Sequence, residues 1–337
     1  MSEKSINPVT LAILGAGDIA RKAYFPLLRT TSDFSIQTVY SRTEETLSHI
    51  RAAWGFENTT TRIETILEQK PQAALVLTNT ASHFKLASQL LEAGIDVYIE
   101  KPATEYSHET HKLAELAKQN NCILMIGFNR RYSLLYRQAR EIFGDRRMNL
   151  CVVEKHRSSA YHISLYNNHL DDAIHQIDLL RFFGGENEPE FSTFQFENGK
   201  VTSAMAATRL EQGGKGVLLD SYQAGGWQEQ VTLHGDGISI LVKAFQEIIV
   251  REGDKETHYG IDRPGKWLPS LVERGFGPAM DHFHACILNR SQPKTDGVEG
   301  ARTQELAEKL VRAAGEPVEV KPMENRVHPF HGTPVEY

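Results

Sequence analysis

The sequence predicts an α/β protein that opens with a doubly wound parallel sheet and passes, near residue 130, into a second region of helices and hairpin-linked strands. Three observations carry this expectation. Short continuous apolar runs such as Val9 to Leu14 and Ala73 to Thr78 read as strands buried on both faces. Helical stretches separate them, the pattern of right-handed βαβ units. After Gly127 the alternation ends, and residues 191 to 251 read as several strands with Asn198-Gly199 and Asp236-Gly237 in hairpin positions.

The elements follow in order. Val9 to Leu14 is the first strand, closed by Gly15-Ala16-Gly17-Asp18-Ile19-Ala20 and a helical stretch ending near Arg29. Phe34 to Tyr40 is the second strand, and Thr43 caps a helix running to about Trp54. The helix of Arg62 to Gln69 stops before Pro71, and Ala73 to Thr78 forms the third strand. Next come a helix over 82–93 with Gly94 as its C-cap, a strand over 95–99, a helix over 107–119 and a strand over 122–126. Beyond them lie a helix over 134–143, a strand over 148–155 and a helix over 170–183. Helices over 277–289 and 298–314 precede a proline-punctuated tail. Residues 1–130 and 131–337 are therefore the two expected domains.

Composition excludes more than it identifies. The 37 Lys and Arg against 43 Asp and Glu give a net charge of −6, which makes nucleic acid and anionic membranes poor partners. No apolar run approaches the ~20 residues of a membrane span. The stretch from Val9 is broken by Gly15, Gly17 and Asp18, unlike a signal-peptide core. Three cysteines, an odd number without CxxC spacing, exclude a disulfide framework and suit a reducing cytoplasm.

The glycine turn carries the first chemical signal. Gly15-x-Gly17-x-x-Ala20 follows a strand and opens a helix, the context of a dinucleotide-binding turn. Gly15 makes the tight turn, Gly17 lets backbone approach a pyrophosphate, and Ala20 permits close packing, with Asp18 and Ile19 in the anion-facing first turn. The second strand ends in Tyr40-Ser41-Arg42-Thr43, without the acid that would bind a ribose 2′-hydroxyl. An arginine and two hydroxyls suit a 2′-phosphate, which favours NADP(H) and leaves NAD(H) possible. The alternative is an exposed Arg42 and a Thr43 that only caps its helix.

Two further clusters point to chemistry. Glu100-Lys101-Pro102 ends a strand at the sheet edge where such folds bind ligands, and Lys101 can donate to a substrate oxygen. On a regular helix Asp171, His175 and Asp178 share a stripe beside the apolar arc, and Asp171 can orient His175 and favour its protonated form. An ordinary ion pair and a buried structural histidine are the competing readings. Lys155-His156-Arg157 follows a strand and is either a solvated loop or a contact to a hydroxyl-rich or anionic substrate. Metal binding is not expected: His282 and His284 point to different helix faces, and His328 and His331 have no nearby ligand pattern. Cys151 has no partner base and reads as an inert thiol.

In this order the glycine turn, Thr78-Asn79-Thr80-x-x-His83, Glu100-Lys101-Pro102, Gly127-Phe128-Asn129-Arg130-Arg131 and Asp171-x-x-x-His175-x-x-Asp178 resemble the Gfo/Idh/MocA oxidoreductases, the family of glucose–fructose oxidoreductase and inositol 2-dehydrogenase. The resemblance covers nearly the whole chain. Glu154 to Ser158, Leu170-Asp171-Asp172 and Glu273 to Phe276 are similar to its MviM-like branch. It implies an N-terminal Rossmann domain, a C-terminal α/β domain with a large open, mainly antiparallel sheet, and a homodimer or homotetramer through that sheet. It implies Lys101, Asp171 and His175 as the catalytic group. Ser41 and Arg42 stand where the family reads the 2′ position, and Thr78, Asn79, Thr80, His83, Glu100, Lys101 and Asn129 line the cofactor. The substrate is a polyhydroxylated small molecule, with Lys155, His156, Asn168 and Asp172 expected beside it. The chain departs from the family by writing Asn167-Asn168 where Gly-Gly is frequent and Ala173 where glycine is frequent. Hydride transfer on a sugar- or cyclitol-like CH–OH group is the expected reaction. A cofactor-assisted glycoside hydrolase of the same family and a non-catalytic dinucleotide sensor are the rivals.

Overall fold

A computed structural model describes residues 8–260 and 270–322. Strand β1 (Val9–Leu14) is fully apolar on its inner positions and ends at Gly15, whose φ of 110° only glycine adopts readily. A Cβ there would sit 2.7 Å from the Leu77 backbone, so the turn also requires the close approach that glycine permits. A π-helical turn (Ala20–Tyr24) then continues into α1 (Phe25–Leu28). Strand β2 (Phe34–Tyr40) leads to α2 (Glu44–Trp54), whose N-cap is Thr43: its hydroxyl accepts from the Thr46 N–H. The chain continues through β3 (Thr59–Thr60), α3 (Ile63–Gln69), β4 (Ala73–Val76), α4 (Thr80–Glu92), β5 (Asp96–Ile99), α5 (Ser107–Gln119) and β6 (Leu124–Ile126). These strands form one parallel sheet in the order β3-β2-β1-β4-β5-β6. The order reverses between β1 and β4, which opens a crevice at their carboxyl ends.

A 3₁₀ turn (Asn129–Tyr132) and α6 (Leu134–Phe143) lead to β7 (Leu150–His156). The next helix begins earlier than expected. Ser164 caps α7 (Leu165–Asn168), which runs through a π turn (His169–Ala173) into α8 (Ile174–Gly184). Strands β8 (Asn187–Glu197), β9 (Lys200–Leu210), β10 (Lys215–Ser221), β11 (Gln228–Gly235), β12 (Ile238–Lys243), β13 (Glu247–Glu252) and β14 (Lys255–Gly260) follow. Asn198-Gly199 and Asp236-Gly237 take positive φ in the two expected hairpins. The second sheet is ordered β14-β13-β12-β11-β7-β10-β9-β8, and β7 with β10 is its parallel pair among these strands. One face packs on α6 and α8. On the other, Phe191, Ala207, Val217, Val152, Thr232, Leu241 and Ile249 form a continuous cross-strand row.

The chain then returns to the first sheet through α9 (Ser270–Glu273), α10 (Phe276–Asn289) and α11 (Gly297–Ala313). Phe276, Ala279, Met280 and Phe283 share an apolar cluster with β1, β2 and Tyr98, and α11 lies on α5. Residues after 130 thus contribute to both cores. His328 and His331 lie outside the described residues. No helix among the described residues is long and apolar enough to cross a membrane.

Candidate active site

A cleft of ≈ 1350 Å³ occupies the crevice where the strand order reverses. The glycine turn forms its floor: Gly15, Gly17, Asp18 and Ile19 line it. A Cβ on Gly17 would meet no protein atom within 4 Å, so the protein's own packing does not demand glycine there. The space it leaves belongs to the cleft and fits a pyrophosphate approaching the backbone. Ser41 and Arg42 line the same cleft, as do Thr78, Asn79, Thr80, His83, Glu100, Lys101 and Asn129. Ala20 does not; it is fully buried and provides the close helix packing. Thr43 is also absent from the lining, and its hydroxyl is spent on the helix cap.

Two buried side chains, His83 and Glu100, tie the turns after β4 and β5 to each other and to the helix that follows the glycine turn. His83 lies 3.0 Å from both the Thr78 and the Pro102 carbonyl oxygens, joining the turns after β4 and β5. The Glu100 carboxylate accepts from the Lys101 N–H at 2.9 Å and from the Tyr24 hydroxyl. Burial raises the Glu100 pKa despite these donors.

At the other end of the cleft are Lys101, Asp171 and His175. Lys101 Nζ donates to the Asp171 carbonyl at 2.6 Å and stands 3.8 Å from its Oδ1. Asp171 Oδ2 accepts from His162 Nε2 at 3.1 Å, and Asn168 Nδ2 reaches His162 Nδ1 at 3.3 Å. An amide nitrogen can only donate, so His162 carries its proton on Nε2 and gives it to Asp171. His175 is held differently from the expectation. Burial, then Arg130, Lys101, Lys155 and Arg157, push its pKa well below the ordinary value, so the imidazole is neutral rather than protonated. Its Nδ1 is buried without a hydrogen-bond partner.

Five other residues expected at the site are placed elsewhere. Asp178 does not share a stripe with Asp171 and His175; it pairs with Arg131 at 2.7 Å and accepts from Thr303. The π turn inserts a residue into the helix, which shifts the register assumed for regular α-geometry. Lys155 and Asp172 do not line the cleft but pair with each other at 2.6 Å, both buried. Burial opposes charge on Asp172, yet Lys155 and Arg157 hold its carboxyl below the usual range. His156 lies outside the cleft, 3.7 Å from Glu154, and Asn168 is fully buried behind Asp171. Among the described residues no group of three or more His, Cys, Asp or Glu could hold a metal ion. Burial pushes the Cys151 thiol up to about 12.

The structure adds residues that sequence reasoning missed. Arg130 and Phe276 line the cleft, as do Asn167 and the returning segment Val320-Lys321-Pro322. Arg130 is locked by Glu229 through two hydrogen bonds, 3.1 and 3.0 Å, and this brings its charge beside His175.

A glycine-turn crevice at a topological switch point, with a lysine and a neutral histidine at one end, defines an oxidoreductase of the dinucleotide-binding class. Residues 9–128 match the family described as "Oxidoreductase family, NAD-binding Rossmann fold". The Salmonella typhimurium protein YceM, an oxidoreductase by name, is 30% identical over 318 residues, 92% of this chain and 99% of that one. Inositol 2-dehydrogenase of Rhizobium meliloti is 22% identical over 328 residues, 91% of this chain and 97% of that one. Among solved structures, the dehydrogenase MviM of Clostridium difficile has a TM-score of 0.83 at 23% identity, covering 90% of this chain and 99% of that one. The chain belongs to the Gfo/Idh/MocA oxidoreductase family and is an NAD(P)-binding enzyme of that kind.

Proposed function

We propose that the protein transfers a hydride between NADP(H), in preference to NAD(H), and a hydroxyl or carbonyl carbon of a sugar- or cyclitol-like ring. The observation that carries this reading is the convergence of Lys101, Asp171 and His175 on the cleft that holds the glycine turn. Bound nicotinamide supplies the hydride acceptor or donor. The chain's own residues handle the proton and the charge. A neutral His175 takes the substrate hydroxyl proton in oxidation and returns it in reduction. The Lys101 ammonium stabilises negative charge developing on the substrate oxygen. Asp171 is a positioning residue here: its carbonyl and carboxylate aim Lys101, and His162 steadies the carboxylate from behind. The absence of an acid directly at the end of β2, where the first is Glu44, and the place of Ser41 and Arg42 in the cleft support the NADP(H) preference.

Work in a reducing cytoplasm fits the three free thiols. Assembly of two or four copies through the second sheet fits the mainly apolar row from Phe191 to Ile249 on the face away from α6 and α8, where Phe191 is 49% exposed. The direct test of the reaction incubates the protein with NADP+ and a panel of cyclitols, sugars and sugar phosphates, myo-inositol among them. Appearance of reduced nicotinamide with a ketone product supports the proposal. A released sugar with no net change in cofactor would replace it with glycoside cleavage.

A further inference from the structure

We propose that Arg21 and His49 join Arg42 in reading a phosphate on the adenosine ribose, so that three basic side chains set the cofactor choice. The inference rests on the NADP(H) preference above and names the side chains that enforce it. All three line the cleft, and among the described residues none has an ion-pair or hydrogen-bond partner for its side chain. These exposed basic side chains line one cleft and offer donors to an anion, in a protein whose net charge of −6 supplies no global attraction for one.

The fold brings them together from three places. The Gly15 N–H donates to the Tyr40 carbonyl at 2.9 Å, which sets the glycine turn against the end of β2, where Ser41 and Arg42 stand. Helices α1 and α2 leave from this same sheet edge and touch through Phe25 and Trp54, whose ring centroids are 5.4 Å apart. One turn back from Phe25 is Arg21, and one turn back from Trp54 is Ile50 with His49 beside it. Thr46, one turn earlier on α2, adds a hydroxyl to the same wall. The one carboxylate nearby in the lining, Asp18, is occupied by Lys22 at 2.8 Å. A ribose 2′-hydroxyl needs an acceptor, and this wall offers mainly donors. A phosphate dianion needs several donors, and Arg21, Arg42 and His49 supply them.

The experiment measures NADPH and NADH affinity by nicotinamide fluorescence for the wild-type chain, Arg21→Gln and His49→Gln. Calorimetry with adenosine 2′,5′-bisphosphate and adenosine 5′-monophosphate repeats the comparison without the nicotinamide. Each variant is expected to weaken NADPH and the bisphosphate about tenfold, with NADH and the monophosphate changed less than about twofold. Retained NADH affinity shows that the variants are folded. A wild-type preference for NADPH that survives intact in both variants overturns this assignment alone. Wild-type binding of NADH as tight as NADPH overturns the cofactor preference and the assignment together.

Discussion

The Tyr24 hydroxyl donates a 2.5 Å hydrogen bond to Glu100 Oε1, linking the helix opened by the glycine turn to the residue before Lys101. Both groups are buried, and Tyr98 completes the contact at 3.0 Å from the Tyr24 oxygen. The helix after the glycine turn and the Glu100-Lys101 segment are therefore joined by one buried hydrogen-bonded cluster. Tyr24→Phe removes a donor from a buried carboxyl, which costs about 1–3 kcal/mol. Urea unfolding should show that loss, and NADPH affinity should fall with it. Unchanged stability and affinity would mean that the pair is incidental.

Lys101→Met and His175→Ala are expected to abolish turnover while leaving NADPH affinity nearly intact, because neither side chain lies at the glycine turn. Steady-state rates and fluorescence titration separate the two effects. Full activity in either variant on the true substrate rules out its assigned role.

The buried histidines predict the acid limb of stability. Burial and the surrounding cations keep His175 neutral, burial with the nearby His162 pushes His169 down to about 3, and burial lowers His83 despite its carbonyl contacts. In the unfolded chain these groups take up protons below about pH 6.5. Proton uptake then favours unfolding, so their contribution is complete above about pH 6.5 and shrinks as the pH falls. The slope reaches about 1.4 kcal/mol per pH unit for each histidine. Urea midpoints between neutral pH and pH 5 should decline; a flat profile would contradict the neutral imidazoles.

Arg131 holds Asp178 at 2.7 Å where the carboxylate is 1% exposed. Arg131→Ala strands that charge and should cost about 3–5 kcal/mol, while Arg131→Met with Asp178→Leu should recover most of it. Equal losses in the single and double variants would show that the site needs the charges themselves.

For assembly, Val217→Asp places a charge in the middle of the apolar row without touching the cleft. Light scattering should report a smaller particle than the wild type, with NADPH binding retained. An unchanged mass would remove the sheet from the interface.

Much of this was legible in the sequence where the signal is local. Val9 to Leu14, Phe34 to Tyr40, the Thr43 cap and both Asx-Gly hairpins fall where periodicity and turn chemistry put them. The glycine turn, Glu100-Lys101 and the Asp171–His175 pair all reach one cleft. The remainder depends on non-local packing. The two-residue β3 is too short for a pattern, and the π turn follows no regular period. Lys155 looks like a surface cation after a strand, but the pleat turns it inward onto Asp172. His162 lies in a loop, and Arg21 and His49 lie on helix faces. Only folding makes the first a partner of Asp171 and brings the other two to the lining of one cleft.

The position of β7 has a consequence for how this molecule forms. It separates β10 from β11, which are consecutive in the chain but not neighbours in the sheet. The β8-β9-β10 and β11-to-β14 meanders consist of local pairings that can assemble quickly and independently. They become one sheet only when β7, made more than fifty residues earlier than its partner β10, is captured between them. That capture is a long-range closure and is expected to be slower than the local pairings. Because Lys155 rides on β7, its ion pair with Asp172 is expected to form late. Catalytic competence should therefore emerge after most of the secondary structure in a refolding experiment.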